Sequence, residues 1–237
     1  MGIVAAIPVI NSKQAPIQVR IGLGFATALL LFPLMAKHTP NINFTLMEFA
    51  LVIIREVLIG LLLGLVSLLI FTAVSFGGTI IGYQMGFAAA NIFDPQTTQQ
   101  LSIMSQFSNI MAFLIFLALN LHHIFFKVIV DSYILLPPGT LNLSGQAVPL
   151  LMDLAGHMFV LSVTLSAPVL ALLLISNLVL GILARVFPQL NVFLLSFPMN
   201  IGISLLVIGL TLHILPFMLS REFDTMTENF SRLFHLL

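Results

Sequence analysis

Two long apolar segments separated by a glycine-rich stretch constrain the fold of this chain more than any other feature. Phe49–Phe76 contains only Arg55 and Glu56 as charges, and Leu101–Phe126 forms a second apolar run. Each run is long enough to cross a bilayer, which takes about 20 residues. Irregular backbone at that depth needs protein cover or a cavity, because lipid offers no hydrogen-bond partners. The intervening stretch, Gly77–Gln100, is therefore predicted to line a pore, a gate or a tight interface.

The composition indicates an integral membrane protein. Charged residues make up 7% of the 237 residues and hydrophobic residues 59%, with a mean hydropathy of +1.16, whereas an ordinary soluble domain is about 25% charged. Eight basic and eight acidic residues balance, so nucleic-acid binding is not expected. The chain has no cysteine, which excludes disulfides, thiol catalysis and thiolate metal sites. A chain of this length can hold about six membrane spans.

The remaining apolar segments predict further helices. Ile21–Ala36 follows a polar stretch, Asn11–Arg20, that is interpreted as a solvated turn. Met158–Leu219 is interrupted by the group Arg185–Gln189 and by prolines, which predict kinked or split helices. The predicted fold class is all-α: a membrane-associated bundle of kinked helical hairpins, with about five to six long apolar helical segments plus a C-terminal amphipathic helix. The prolines concerned are Pro168, Pro198 and Pro216.

The last residues of the chain predict the amphipathic helix. Apolar residues recur there at the spacing of one helix face, and charged residues such as Arg221 and Glu228 occupy the other positions. The helix is therefore expected to lie along a surface, either a bilayer interface or a partner helix. Folding back onto the chain's own bundle is an equally weighted alternative. The apolar positions are Leu219, Phe223, Met226, Phe230, Leu233 and Leu237.

Small residues repeat at four-residue spacing along the glycine-rich stretch. This spacing places them on one helix face, where another backbone can approach closely. The same glycines lower helix stability by about 1 kcal/mol each relative to alanine, so the segment can also unwind into a loop. Asp94 and Pro95 would then end or turn the helix. The small residues are Gly78, Gly82, Gly86 and Ala90, preceded by Gly60 and Gly64 at the same spacing.

The ionisable residues form no catalytic constellation and suggest no cofactor or metal site. Arg55 and Glu56 are adjacent and therefore point to different helix faces. Asp153 and His157 are spaced for a proton-relay pair, but a carboxylate just after Pro149 fits a helix N-terminus better. The sequence contains no GxSxG, HExxH or P-loop pattern. Structural roles are expected for three other histidines. His122 and His123 are expected to be hydrogen-bonded or solvated, and His213 is expected to be a hydrogen-bonded residue within the bundle.

Five stretches, in order along almost the whole chain, carry a family resemblance. They are QAPIQVRIGLG (14–24), REVLIGLLLGL (55–65), GYQMGFAAANIFDPQ (82–96), FLALNLHHIFFKVIVDSY (116–133) and LARVFPQLNVFLLSFPMNIGI (183–203). Two patterns within them, GxQMGF followed by DPQ and RxFPQLNxFxxxFP, make the resemblance highly specific. The chain resembles the FliR family of flagellar biosynthesis proteins, whose relatives are components of virulence type III secretion systems.

The resemblance implies a role in protein export without enzymatic activity. Family members are one-copy components of an export gate built with several FliP and FliQ subunits, a closed channel through which unfolded flagellar subunits pass. The resemblance also implies a fusion of a FliP-like half, residues 1–135, with a FliQ-like half, residues 136–237, largely enclosed by partners. Similar proteins carry another helix before the position of Met1, so the N-terminal helix is expected to be truncated. The expected location is the bacterial cytoplasmic membrane, multi-pass, in the flagellar basal body.

The resemblance further implies two sets of functional residues. In the family, the loop matching Gly82–Thr98 plugs the channel beneath a methionine-rich constriction contributed mainly by FliP. Apolar side chains there would exclude water and ions, while methionine adapts to changing shapes. The family's C-terminal motif also recurs, and contacts to FliQ-like subunits or to FlhB are expected there. The matched plug residues are Gly82, Met85, Gly86, Phe87, Asn91, Ile92, Phe93, Asp94 and Pro95, and the matched motif residues are Arg185, Pro188, Gln189 and Asn191.

The residues themselves leave one alternative function open. Glu56, Asp153 and His157 are ionisable groups near broken helices, and such groups mark substrate and proton pathways in membrane proteins. They are compatible with a proton- or solute-coupled secondary transporter. A transporter of this kind would act alone in a liposome, whereas a gate component would need its partners.

Overall fold

The computed structural model describes residues 16–35, 45–86, 103–137, 145 and 147–237, and within these ranges the chain forms helices and turns with no strand. This confirms the all-α prediction. Helices suit an apolar chain because each satisfies its own backbone hydrogen bonds. The seven helices of this part are α1 (Ile17–Met35), α2 (Leu46–Gln84), α3 (Ile103–Ala118), α4 (His122–Leu135), α5 (Ala147–Val186), α6 (Val192–Thr211) and α7 (Leu215–Leu236).

Three of the described helices, α2, α5 and α6, are long and apolar enough to cross a membrane. The pair α3 and α4 adds a fourth span if it is counted as one, although its two members are bent by 70°. The α1 helix is apolar but shorter. By length and composition, the prediction of a membrane-associated helical bundle is confirmed.

The α2 helix extends further than the sequence predicts. It continues to Gln84, into the stretch for which the glycines predict irregular backbone, and the turn begins only at Met85. An unbroken helix keeps its backbone amides bonded, which in an apolar setting outweighs a glycine penalty of about 1 kcal/mol per residue. The predicted start of α1 is also wrong. The helix begins at Ile17, inside the stretch that is interpreted as a solvated turn.

The apolar run Leu101–Phe126 is broken at Asn120, a break that its apolar pattern does not predict. Asn120 has a φ angle of 55°, in the left-handed region that asparagine tolerates better than most residues. Its N–H donates to the Leu117 carbonyl (N to O 3.0 Å), and the Leu121 N–H donates to the Phe116 carbonyl (3.2 Å). These two bonds form a Schellman C-cap, after which the chain leaves α3 and enters α4 at 70°.

Two of the predicted breaks are present, and two prolines do not break their helices. The chain turns at residues 187–191, between α5 and α6, and at residues 212–214, before α7. Pro216 is the second residue of α7, where its missing N–H costs nothing because the first helical amides have no intrahelical partner. Pro168 and Pro198 instead lie inside continuous helices.

The chain divides into two compact units. Unit one contains α1, α2 up to Phe71, α3 from Phe113, α4, the start of α5 and α7 from Ser220. Unit two contains the rest of α2 and of α3, α5 from His157, α6, and α7 up to Leu219. The predicted halves at residues 1–135 and 136–237 are a different division, based on family resemblance, and stay a prediction.

Phenylalanine rings form the core of unit one. The Phe116 ring lies 5.7 Å from Phe71, 5.7 Å from Phe125 and 5.6 Å from Phe223, measured between ring centroids. Edge-on and tilted ring pairs at this spacing stabilise a core beyond the area that they bury. Within the same unit, α1 packs against α4. This core joins α2, α3, α4 and α7.

The apolar face of α7 is buried within the chain. Phe223, Met226, Phe230 and Leu233 are each at most 1% exposed, and Phe223 contacts both Phe71 and Phe116. A face that is already covered cannot also lie against a bilayer or a partner helix. The amphipathic stripe is confirmed, and of the alternatives left open, folding back onto the chain's own bundle is the correct one.

The core of unit two brings together four helices. Ile81 of α2 and Met85, just after the end of α2, pack in one buried cluster with residues of α3, α5 and α6. The cluster is aliphatic and methionine-rich rather than aromatic, so it has few fixed ring contacts. Its other buried members are Met104, Val169, Leu173 and Val207.

Replacing Phe223 by alanine is expected to destabilise the protein by about 3–5 kcal/mol, since it removes the ring that α7 places against Phe71 and Phe116. The matched control is Phe217→Ala, on the same helix but 74% exposed, which is expected to cost less than about 1 kcal/mol. Thermal unfolding in detergent compares the two. Equal losses from both changes would contradict the buried position of the α7 apolar face.

Candidate functional site at the end of α2

The end of α2 carries the first predicted plug residues, Gly82, Met85 and Gly86. Gly86 follows the helix with a φ angle of +89°, which glycine adopts freely and other residues adopt only with strain. Its N–H donates to the Tyr83 carbonyl (N to O 3.1 Å), and the Met85 N–H donates to the Ile81 carbonyl (2.9 Å). Gly86 therefore closes α2 as its C-terminal capping glycine.

The ring of Phe197, on α6, lies directly against Gly86. A Cβ atom added at position 86 would lie 2.7 Å from Cδ1 and 2.9 Å from Cε1 of that ring, which is closer than real Cβ contacts. Phe197 in turn makes an edge-on contact with Phe193, with 4.9 Å between ring centroids. Glycine is thus required at position 86 for two reasons, the backbone angle and the neighbouring ring.

This contact joins the two sequence patterns on which the family resemblance depends. Gly86 belongs to the GxQMGF pattern, and Phe197 is the last phenylalanine of RxFPQLNxFxxxFP. Both patterns are visible in the sequence, but Phe197 is not among the predicted site residues. No local signal could pair the two residues, because they are far apart in the chain and only the packing of α2 and α6 brings them together.

Met85 is buried in the core of unit two. Its side chain is 1% exposed, and it shares a cluster with Met104, near the start of α3. The two methionines stand at either end of the connection between α2 and α3, so both ends of that connection are held in the same core. Met85 is among the predicted plug residues, but Met104 is not. Met104 lies in a long apolar run, in which its apolar side chain does not stand out.

The glycines of α2 lie where other helices come close. A Cβ added at Gly78 would lie 2.8 Å from the Ser105 Cα and 2.9 Å from the Met104 carbonyl oxygen, both on α3. A Cβ added at Gly77 would lie 2.9 Å from the Ser162 carbonyl oxygen of α5. Backbone atoms cannot move aside as a flexible side chain can, so neither position has room for a side chain.

Three of the other small residues lie within the described part of α2. Gly60, Gly64 and Gly82 are buried on α2. The hydroxyls of Ser75 and Ser105 form a hydrogen bond (O to O 2.8 Å) close to Gly78, which adds a polar contact between α2 and α3. The remaining predicted residues lie outside the described ranges: Phe87, Ala90, Asn91, Ile92, Phe93, Asp94 and Pro95.

The four residues predicted to contact partners lie together at the turn between α5 and α6. Arg185 ends α5, Pro188 and Gln189 form the turn, and all three are exposed. Asn191 caps α6, since its Oδ1 accepts a hydrogen bond from the Leu194 N–H (N to O 3.3 Å). The sequence signal for this cap is an asparagine just before an apolar run.

The ionisable side chains do not assemble into a metal site: within the described ranges, no three His, Cys, Asp or Glu residues are grouped to hold an ion. Asp153 is not a helix cap as interpreted above, since α5 begins at Ala147 and Asp153 lies exposed in the second turn. His213 is exposed in the turn before α7, not buried in the bundle. The rings of His122 and His123 lie against each other with 4.3 Å between centroids and an angle of 37° between their planes.

Gly86→Ala is expected to destabilise the protein by about 1–3 kcal/mol, because alanine strains the left-handed backbone and its Cβ meets the Phe197 ring. Adding Phe197→Ala should relieve the collision but not the backbone strain, so a double-mutant cycle by thermal unfolding separates the two causes. The control is Gly22→Ala on α1, where a Cβ meets no atom within 4 Å. The control should be neutral or stabilising, and an equally harmless Gly86→Ala would contradict the capping role.

Comparison with known proteins places almost the whole chain in one family. The family profile described as bacterial export proteins, family 1, matches residues 1–226. The chain is 33% identical to the flagellar biosynthetic protein FliR of Pectobacterium carotovorum subsp. carotovorum over 237 residues, which cover 98% of this chain and 90% of that protein. It is 32% identical to FliR of Bacillus subtilis strain 168 over 234 residues, with the same coverage of 98% and 90%.

A third relative, FliR of Escherichia coli strain K12, is 31% identical over 209 residues, which cover 87% of this chain and 79% of that protein. The matches span both sequence patterns and the contact that joins them. The apolar helices agree with the membrane setting of a flagellar export component. The chain belongs to the FliR family of bacterial export proteins.

Proposed function

We propose that this chain is a structural, non-enzymatic component of a flagellar type III export gate, which it forms with FliP-like and FliQ-like subunits, with FlhB as a further partner. In this proposal the gate is a closed channel in the bacterial cytoplasmic membrane, within the basal body, through which unfolded flagellar subunits are exported. Family membership supports this role, because its relatives are named flagellar biosynthetic proteins. The helices long enough to cross a membrane support the location.

Within this role, the connection between α2 and α3 is proposed to plug the channel. The observation that carries the proposal is its base: Met85 and Met104 pack in one buried cluster, and Gly86 is held against Phe197. A connection of this length with a rigid base is typical of a functional loop. Its apolar Phe87, Ile92 and Phe93 would exclude water and ions from a closed pore.

The turn between α5 and α6 is proposed to contact the FliQ-like subunits or FlhB. Its polar residues Arg185 and Gln189 are exposed beside apolar Phe187 and Leu190, which are 52% and 54% exposed. Large apolar side chains at an exposed turn, next to a guanidinium and an amide, are typical of the centre of a protein interface. The Asn191 cap holds the start of α6 behind them.

Deleting residues 87–93 is expected to make the cell membrane leak ions while export of flagellar subunits is retained or raised, because the seal is removed and the channel walls are not. Membrane conductance and secreted subunits are measured together. The matched control deletes residues 138–144, an equally long part of the connection between α4 and α5, and should not raise conductance. An unchanged conductance after the first deletion would rule out the plug.

Co-purification is expected to recover FliP-like and FliQ-like chains with this protein from solubilised membranes. The purified chain alone, reconstituted in liposomes, is expected to take up neither protons nor solutes. Proton- or solute-driven uptake that depends on Glu56, Asp153 or His157 would instead identify a secondary transporter. Absence of both partner chains from the purified material would contradict the gate.

A further inference from the structure

The ring of Phe197, on α6, lies at the end of α2 within unit two. A Cβ added at Gly86 would lie 2.7 Å from Cδ1 and 2.9 Å from Cε1 of this ring, so one edge of the ring faces the backbone of residue 86. Gly86 has a φ angle of +89° and is the last described residue before the connection to α3. The contact between α6 and α2 therefore lies at the base of the proposed plug.

Phe193 restrains the Phe197 ring. The two residues are four apart on α6, so their side chains are neighbours on the helix surface. Their rings meet edge to face, with 4.9 Å between centroids and 82° between planes, an arrangement that aromatic rings favour. A rotation of the Phe197 ring away from Gly86 would disturb this contact. Phe193 therefore favours the side-chain conformation in which Phe197 lies against Gly86.

Hydrogen bonds between α5 and α6 align the helix that carries Phe197. Asn200 follows Phe197 by three residues, so these two side chains are also neighbours on α6. The Ser176 hydroxyl donates to Asn200 Oδ1 (O to O 3.1 Å), and Asn200 Nδ2 donates to Asn177 Oδ1 (N to O 3.2 Å). Ser176 and Asn200 are buried, and hydrogen bonds between apolar helices fix how they are aligned in lipid. The alignment of α6 along α5 is thus fixed within one turn of Phe197.

The apolar cluster of unit two restrains the end of α2 less specifically. Met85 and Met104 belong to this cluster, and methionine side chains adapt to changes in the shape of their surroundings. Apolar burial has no directional preference, so a small shift of α2 would keep most of the cluster buried. The planar ring of Phe197 and the bare backbone of Gly86 instead fit at one distance, because neither group can change its shape. The Phe197 contact is therefore the more specific restraint on this end of α2.

We propose that Phe197 is a positioning residue of the gate: its ring holds the end of α2 in place, through Gly86, when the gate is closed. This inference rests on the proposed function, in particular on the plug whose base Gly86 forms. Phe193 keeps the ring in its conformation, and Asn200 keeps α6 aligned on α5. Without the ring, the space beside Gly86 is open, so the end of α2 can occupy more than one position. The base of the plug then shifts, and the channel is sealed for a smaller part of the time.

Substitutions at position 197 of the full-length chain, made in cells that produce the whole assembly, test this role. Phe197→Ala is expected to raise the ion conductance of the membrane, per assembled gate, by about twofold to tenfold, because the loss of one aromatic contact shifts a two-state equilibrium by that factor. Deleting residues 87–93 should raise the conductance further, since that change removes the seal itself. Phe197→Tyr keeps both ring carbons that face Gly86 and should retain the original conductance, and Phe197→Leu should give an intermediate value.

The matched control is Leu206→Ala. Leu206 is 63% exposed and follows Phe197 by nine residues, which places it on the opposite side of α6. Its truncation should leave the conductance per gate unchanged. The amounts of FliP-like and FliQ-like chain recovered with each variant give the number of assembled gates, so a variant that assembles less well is still compared per gate.

A double-mutant cycle tests whether Asn200 acts through Phe197. Asn200→Leu removes both hydrogen bonds to α5 and keeps a side chain of similar size, so it is expected to raise the conductance in the same direction as Phe197→Ala. Because these hydrogen bonds serve to place the ring, the same substitution should have little further effect in a chain that already carries Phe197→Ala. A general loss of packing would instead add its full effect to that of Phe197→Ala, which would contradict the role given to Asn200.

Three results would overturn the proposal. They are an unchanged conductance per gate in both Phe197→Ala and Phe197→Leu, an equal rise in Leu206→Ala, and a rise in Phe197→Tyr as large as that in Phe197→Ala. If deleting residues 87–93 left the conductance unchanged, the proposed plug would fail together with this role of Phe197. If that deletion raised the conductance and Phe197→Ala did not, only the role of Phe197 would fail.

Discussion

The backbone groups that a helix leaves unbonded at its ends must find partners, and in this apolar chain that requirement controls where the chain turns. Gly86 and Asn120 end α2 and α3 in left-handed conformations. Thr45 and Glu48 exchange hydrogen bonds at the start of α2, and Asn191 caps α6. The directions of the bent pair and of the α5–α6 turn depend on these caps, because each one fixes the path of the chain at the end of its helix.

The candidate site depends on close backbone packing as much as on any side chain. Gly77 and Gly78 allow α5 and α3 to approach α2, and Gly86 accepts the Phe197 ring of α6. These contacts hold four helices around one buried cluster, in which Met85 and Met104 fix the base of the proposed plug. The proposed plug requires a fixed base, and the packing of Met85, Met104 and Gly86 is consistent with that requirement.

Much of the fold and some of the site were predictable from patterns. The apolar runs predict membrane-length helices, the spacing of Phe223 and its neighbours predicts an amphipathic helix, and the four-residue spacing of Gly78 predicts close packing. The errors share one cause. A local pattern does not say how much tertiary packing supports a segment, so the helix end at Gln84 and the break at Asn120 could not be placed by counting apolar residues.

The sequence by itself determined the fold class, the family and the residues available to a plug, because composition, period and specific motifs are properties of the chain alone. Tertiary structure decided which surface α7 covers, that Gly86 meets Phe197, and that Ser176 of α5 forms a hydrogen bond with Asn200 of α6. The reason is that burial and hydrogen-bond pairing join residues that are distant in sequence. No local pattern encodes which of many apolar faces will meet.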